Sequence, residues 1–175
     1  YEWLVAFLAC VNGGNVALAI DKSLPDAEIE TLINLGECDY AFVTDQYVEK
    51  VNPKSVKKVY DLGTFDTILY EGRKLLKEKN TEFLQYKVEP DDTACILFTS
   101  GTSGKSKGVE LTNRNIAFEI NRTCQLFKLD GPVLAVLPFH HAFGLIVGIF
   151  MVMHYGQTIY INKSPKYVKK NMADF

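Results

Sequence analysis

Ten consecutive residues carry the strongest chemical signal in the chain: Thr99-Ser100-Gly101-Thr102-Ser103-Gly104-Lys105-Ser106-Lys107-Gly108. Gly101, Gly104 and Gly108 have no side chain in the way, so their backbone N–H groups can turn inward as an anion nest. The hydroxyls of Thr99, Ser100, Thr102, Ser103 and Ser106 add donors. Lys105 and Lys107 add positive charge, and charge-assisted contacts are the strong ones. This is the chemistry of a polyphosphate cradle. It is not a Walker P-loop, because that pattern needs glycine at the position Thr99 holds. A flexible Gly/Ser linker is the plain alternative, but a linker is not normally wedged between an apolar buried run and a further β-prone run.

A second constellation is Leu137-Pro138-Phe139-His140-His141-Ala142-Phe143-Gly144. Pro138 and Gly144 frame a turn, and two imidazoles with two phenyl rings offer flat, partly polar groups. Adjacent histidines can ligate a metal, but neighbours at i and i+1 are expected to point apart, and no Cys, Asp or Glu stands nearby. Metal ligation is therefore the weaker reading. Packing in the core is the bland one, for His140 and more so for His154.

These loops need elements to hold them. Helices are expected over 2–11, 25–35 (closed by Gly36), 65–79, 112–127 (capped by Thr112 or Asn113), 142–153 and from 165 onward. Strands are expected over 16–20, 40–44, 58–61, 94–99, 133–137 and 158–161. The run 94–99 is apolar throughout, as in a strand buried on both faces. Strands alternating with helices imply an α/β fold, a wound and mainly parallel sheet with helices on both faces. Both special segments follow a strand and are expected on one edge of that sheet, where ligands gather in open α/β folds.

With 175 residues the chain suits one domain, and 47% apolar with 23% charged residues is an ordinary globular balance. A net charge of -2 gives no basic field for nucleic acid. The apolar stretches 3–20 and 142–153 are, respectively, broken by Asn12-Gly13-Gly14-Asn15 and shorter than the ~20 residues a spanning helix needs, so neither is read as crossing a membrane. Cys10, Cys38, Cys95 and Cys124 form no C-x-x-C pair and read as buried, reduced thiols of a cytoplasmic protein. The chain opens without Met in an apolar run and stops at Met172-Ala173-Asp174-Phe175, which reads as an internal segment of a longer polypeptide.

Residues 99–109 resemble the signature Thr-Ser-Gly-Ser/Thr-Thr-Gly-x-Pro-Lys-Gly-Val of the adenylate-forming superfamily, which includes acyl-CoA synthetases, beetle luciferases and peptide-synthetase adenylation domains. Ser103 replaces the usual Thr and keeps the hydroxyl; Ser106 replaces the usual Pro. Residues 138–144 resemble that superfamily's Pro-x-x-His-x-x-Gly motif, with His141 in the histidine position. The His-His-x-Phe-Gly form is similar to that of acyl-CoA ligases. The resemblance is strong over 92–156 and weaker towards the ends.

What it implies is a three-layer α/β domain, with residues 1–175 as part of an N-terminal domain binding ATP and the acyl group. The parent would be an ATP-dependent, AMP-forming ligase joining a carboxylic acid, in first place a fatty acid, to coenzyme A. Residues 99–105, Lys107 and Gly108 would hold ATP. Lys107 and His141 would act on the reacting groups, and His141, Phe143 and Gly144 would meet the acid. Mg2+ would be held largely by groups outside this stretch. No Tyr-Gly-x-Thr-Glu adenine motif occurs; Tyr155-Gly156-Gln157-Thr158-Ile159 lacks the Glu. The chain alone is therefore expected to lack ligase activity and to form dimers or swapped oligomers through surface left uncovered. A non-catalytic nucleotide or anion-binding module, and a luciferase-like oxygenase, remain alternatives.

Overall fold

The computed structural model describes residues 1–100, 106–162 and 167–174. The protein is α/β and divides into two compact units, Tyr1–Ile96 and Leu97–Phe175.

The first unit contains α1 (Glu2–Asn12), β1 (Ala17–Ala19), α2 (Asp26–Leu35), β2 (Tyr40–Val43), β3 (Lys58–Asp61), α3 (Phe65–Lys77) and α4 (Glu82–Gln85), with 3-10 turns at Asp45–Lys50 and Leu62–Thr64. Strands β2 and β3 pair in parallel, Tyr40 opposite Lys58 and Val43 opposite Asp61. Their side chains alternate as a pleated strand requires. Ala41, Val43 and Val59 pack on the buried Ile29, Ile33, Val51 and Val56, joined by Ile20, Leu24 and Cys38. On the other side the Phe42 and Tyr60 rings stack at 4.9 Å.

Helix α2 buries Ile29, Leu32 and Ile33, the stripe its sequence spacing predicts. Its closure differs from expectation. Gly36 has an ordinary φ of -86°, and the left-handed residue is Glu37 at φ 49°. The Cys38 N–H reaches back to the Ile33 carbonyl at 3.1 Å, a Schellman closure with Glu37 at its centre. A Cβ at 36 would sit 2.7 Å from Leu18 Cδ2, the end of a side chain that can shift. The same closure ends α1 around Gly14 and α3 around Lys79, by bonds from Asn15 to Cys10 and from Asn80 to Leu75, each 3.0 Å.

Helix α3 stops at Lys77 and buries no residue, so its apolar stripe is not the core face its spacing suggested. Leu75 and Leu76 are exposed, as are Phe83 and Leu84 of α4.

The second unit contains β5 (Ser106–Thr112), α5 (Asn113–Leu126), β6 (Val133–Ala135), α6 (Ala142–Leu145), a π-turn over Ile146–Phe150, α7 (Met151–His154), β7 (Ile159–Ile161) and α8 (Val168–Asp174). The division between the units falls inside β4 (Thr93–Ser100), the middle strand of a sheet of order β1-β4-β5. Ala94, Cys95 and Leu97 on β4 are all buried, so both its faces are covered, as its unbroken apolar run predicts. Thr112 caps α5: its hydroxyl accepts from the Asn115 N–H at 3.1 Å, and the Asn115 side chain accepts from the Thr112 N–H at 3.0 Å. This is a capping box with Asn in the place usually taken by Glu or Gln.

Residues 142–154 form one helical rod through the π-turn. Leu145, Ile149 and Val152 on it are wholly buried. The rod packs against α5, and the Tyr155 hydroxyl sits 2.8 Å from the carbonyls of both Cys124 and Phe127. Strand β6 is shorter than the expected 133–137, because Val136 and Leu137 already lie exposed beyond it. It pairs in parallel with β7, Val133 opposite Ile159. Among the described residues no helix is long and apolar enough to cross a membrane.

Candidate functional site

The glycine- and hydroxyl-rich segment 99–108 has a strand at each end. Burial of Ala94, Cys95 and Leu97 fixes β4 in place, and its last residues carry the exposed Thr99 and then Ser100. Strand β5 starts at Ser106 beside β4. Only five residues join these hydrogen-bonded neighbours, and a parallel crossover needs a dozen or more, so the two strands run antiparallel. Thr99 and Ser100 therefore stand at the same end of the hairpin as Ser106, Lys107 and Gly108. Lys107 and Gly108 are exposed, open to a ligand. Gly101, Thr102, Ser103, Gly104 and Lys105 lie outside the described residues.

The histidine segment follows β6, whose sheet β6-β7 is separate from β1-β4-β5. The expectation of one shared sheet edge is thereby corrected: three-residue β6 takes its hydrogen bonds from β7. The His141 N–H donates to the Pro138 carbonyl at 3.3 Å, and the His141 carbonyl accepts from the Leu145 N–H at 3.0 Å, so His141 is the cap residue of α6. The two imidazoles lie with centroids 4.2 Å apart, tilted 54°. They were expected to point apart; the turn at 138–141 is neither helix nor strand and lets neighbouring rings converge. His141 is exposed and Phe143 is 64% exposed, whereas Gly144 is buried. His154 is exposed, edge-on to Tyr155 at 5.5 Å, and not a core histidine.

Two features of this segment were not anticipated. One is the π-turn directly after α6, of a kind often found at functional sites. The other is the fit of Gly144 onto the Pro138 carbonyl. The spacing Pro-x-x-His-x-x-Gly was the available signal for the second; nothing in Ile146–Phe150 announced the first.

The four cysteines are free of disulfides, but only Cys95 is fully buried; Cys10, Cys38 and Cys124 are half-buried. Burial pushes the Cys95 thiol up to about 11. The unfolded chain would release this proton near 9.0, the ordinary value of a thiol. A raised folded value stabilises fully below the unfolded one, and that contribution is lost as pH rises towards about 11. Two pKa units correspond to about 3 kcal/mol. Urea midpoints should fall between pH 8.5 and 11, and Cys95→Ala should flatten that fall.

With this geometry in view, the chain belongs to the AMP-binding enzyme family, whose model matches residues 1–174. It is 30% identical to 4-coumarate--CoA ligase-like 6 of Arabidopsis thaliana, over 90% of this chain and 30% of that protein. It is 28% identical to the mitochondrial malonate--CoA ligase ACSF3 of Mus musculus, over 90% of this chain and 27% of that protein. The chain thus spans under a third of the length of these relatives.

Two solved structures share the fold. The fatty acyl-adenylate ligase from L. pneumophila, in complex with acyl adenylate and pyrophosphate, matches with a TM-score of 0.74 at 19% identity, covering 99% of this chain and 30% of that one. The o-succinylbenzoate coenzyme A synthetase from Bacillus subtilis, in complex with ATP and magnesium, matches with a TM-score of 0.76 at 20% identity, covering 98% and 34%.

Proposed function

We propose that this chain supplies the ATP/acyl-binding part of the N-terminal domain of an AMP-forming acid–thiol ligase. The observation that carries the reading is the hydroxyl- and glycine-rich stretch 99–108, held between two neighbouring strands in a member of the AMP-binding family. In the first half-reaction an oxygen of the acid attacks the α-phosphorus of ATP. The bond to the β-phosphate oxygen breaks, and pyrophosphate leaves. In the second, the coenzyme A sulfur attacks the acyl carbon, AMP leaves, and the thiol proton passes to solvent.

Here catalysis is positioning and electrostatics. Thr99, Ser100, Thr102, Ser103 and the amides of Gly101, Gly104 and Gly108 would hold the β- and γ-phosphates, with Lys105 and Lys107 offsetting their charge. His141 would orient the carboxylate, with Phe143 and Gly144 beside the acyl group. Among the described residues no three His, Cys, Asp or Glu side chains come together to hold a metal. Mg2+ would be held largely by groups outside this stretch.

The exposed Phe143 favours an apolar, fatty acid, and the four free thiols favour the cytoplasm. Acid-dependent exchange of labelled pyrophosphate into ATP, run on the full-length parent polypeptide with a panel of acids, tests the reading. Exchange with one acid class supports it, and no exchange with any acid returns the chain to a non-catalytic nucleotide or anion binder.

The isolated 175-residue chain is expected to pair with a second copy. Support comes from exposed Leu75 and Leu76 on α3 and Phe83 and Leu84 on α4, since uncovered apolar surface promotes association. Light scattering at rising concentration should show the mass doubling; a constant monomer mass contradicts it.

A further inference from the structure

We infer that Gly144 is a positioning residue for the His140-His141 pair, acting through the Pro138 carbonyl. This rests on the acid-activating reading only for its consequence in catalysis, not for the geometry. A Cβ on Gly144 would collide with the Pro138 carbonyl oxygen, and would stand 3.0 Å from its carbonyl carbon and 3.4 Å from that of Leu137. All three are backbone atoms, so no side chain can swing aside. The same carbonyl oxygen accepts from the His141 N–H at 3.3 Å. One oxygen thus closes the turn that carries the imidazoles and seats the first turn of the rod.

The rest of the rod is fixed by burial of Leu145, Ile149 and Val152, so the turn is what must yield to a methyl group. The carbonyl would have to withdraw by about 1 Å to reach ordinary C···O contact, and its bond from His141 would break. Both rings would then move relative to the rod.

Gly148 gives a matched control on the same rod, because a Cβ there meets nothing within 4 Å. The first experiment uses the present chain. Imidazole resonances of Gly144→Ala and Gly148→Ala are compared with those of the parent. Expected are displaced signals for His140 and His141 in Gly144→Ala with His154 unmoved, and three unmoved signals in Gly148→Ala. Unmoved His140 and His141 signals in a folded Gly144→Ala overturn the inference. Should that variant not fold, amide exchange of the unmodified chain decides. The His141 N–H should exchange at least tenfold more slowly than the Ala142 N–H, and equal rates overturn the inference.

The second experiment uses the full-length ligase. Gly144→Ala should lower kcat/KM for the acid at least tenfold, with KM for ATP unchanged, while Gly148→Ala keeps both. Equal losses for acid and ATP would mean a merely structural role. If the parent shows no exchange with any acid, the functional reading fails while the resonance result still stands.

Discussion

On the proposed function, replacing Lys107 by methionine in the full-length parent polypeptide should cut acid-dependent pyrophosphate exchange by about 10²-fold, the usual cost of removing one preorganised donor from a developing charge. The first half-reaction gathers the charges of a triphosphate and a carboxylate in one place. A cation on strand β5, beside the end of β4, would offset that charge. Methionine keeps most of the stem and loses the ammonium, with its charge and its N–H donors. The residue is exposed, and exposed substitutions usually change stability by less than about 0.5 kcal/mol. The melting temperature should therefore stay within a degree or two while exchange collapses. Unchanged exchange at an unchanged melting temperature would remove Lys107 from the phosphate site.

The largest stability effect is expected at Ile149. It lies in the π-turn, wholly buried, with Leu145 and Val152 equally buried along the rod. Truncation to alanine removes three carbons from a packed interior and leaves a cavity that a helix in contact with α5 cannot close. Such changes cost about 2–5 kcal/mol, against a total of about 5–15 kcal/mol for a typical domain. Met153→Ala is the comparison: its side chain is 45% exposed and should cost under about 1 kcal/mol. Urea unfolding followed by circular dichroism separates the two. Equal midpoints would mean that the rod is not the core of this unit.

Much of the fold was legible because hydrophobic spacing reports burial directly. The stripe Ile29, Leu32, Ile33 became core, as did Ala94, Cys95 and Leu97 in the apolar run of β4. The cap of α5 was readable as Thr112 or Asn113, because both side chains can accept from a first-turn N–H, and the structure gives Thr112. Other features turned on tertiary context. The stripe of α3 has the right period, but period says only which face could be buried, not what arrives to bury it. Gly36 looked like a helix stop, yet the left-handed conformation falls on Glu37. The convergence of His140 and His141 came from a turn whose backbone no periodicity describes. In the candidate site, the proposal of a phosphate loop at 99–108 rests on residue types alone, whereas the seat of Gly144 on Pro138 required coordinates.

The proposed function requires the amides of Gly101, Gly104 and Gly108 to meet a triphosphate. Glycine amide resonances of the 175-residue chain, followed while Mg-ATP is added, test it most directly. The account predicts saturable shifts of the Gly101, Gly104 and Gly108 signals, with Gly72 and Gly131 unmoved. Loop signals that stay in place at millimolar ATP, or that move no more than those of Gly72 and Gly131, would contradict it.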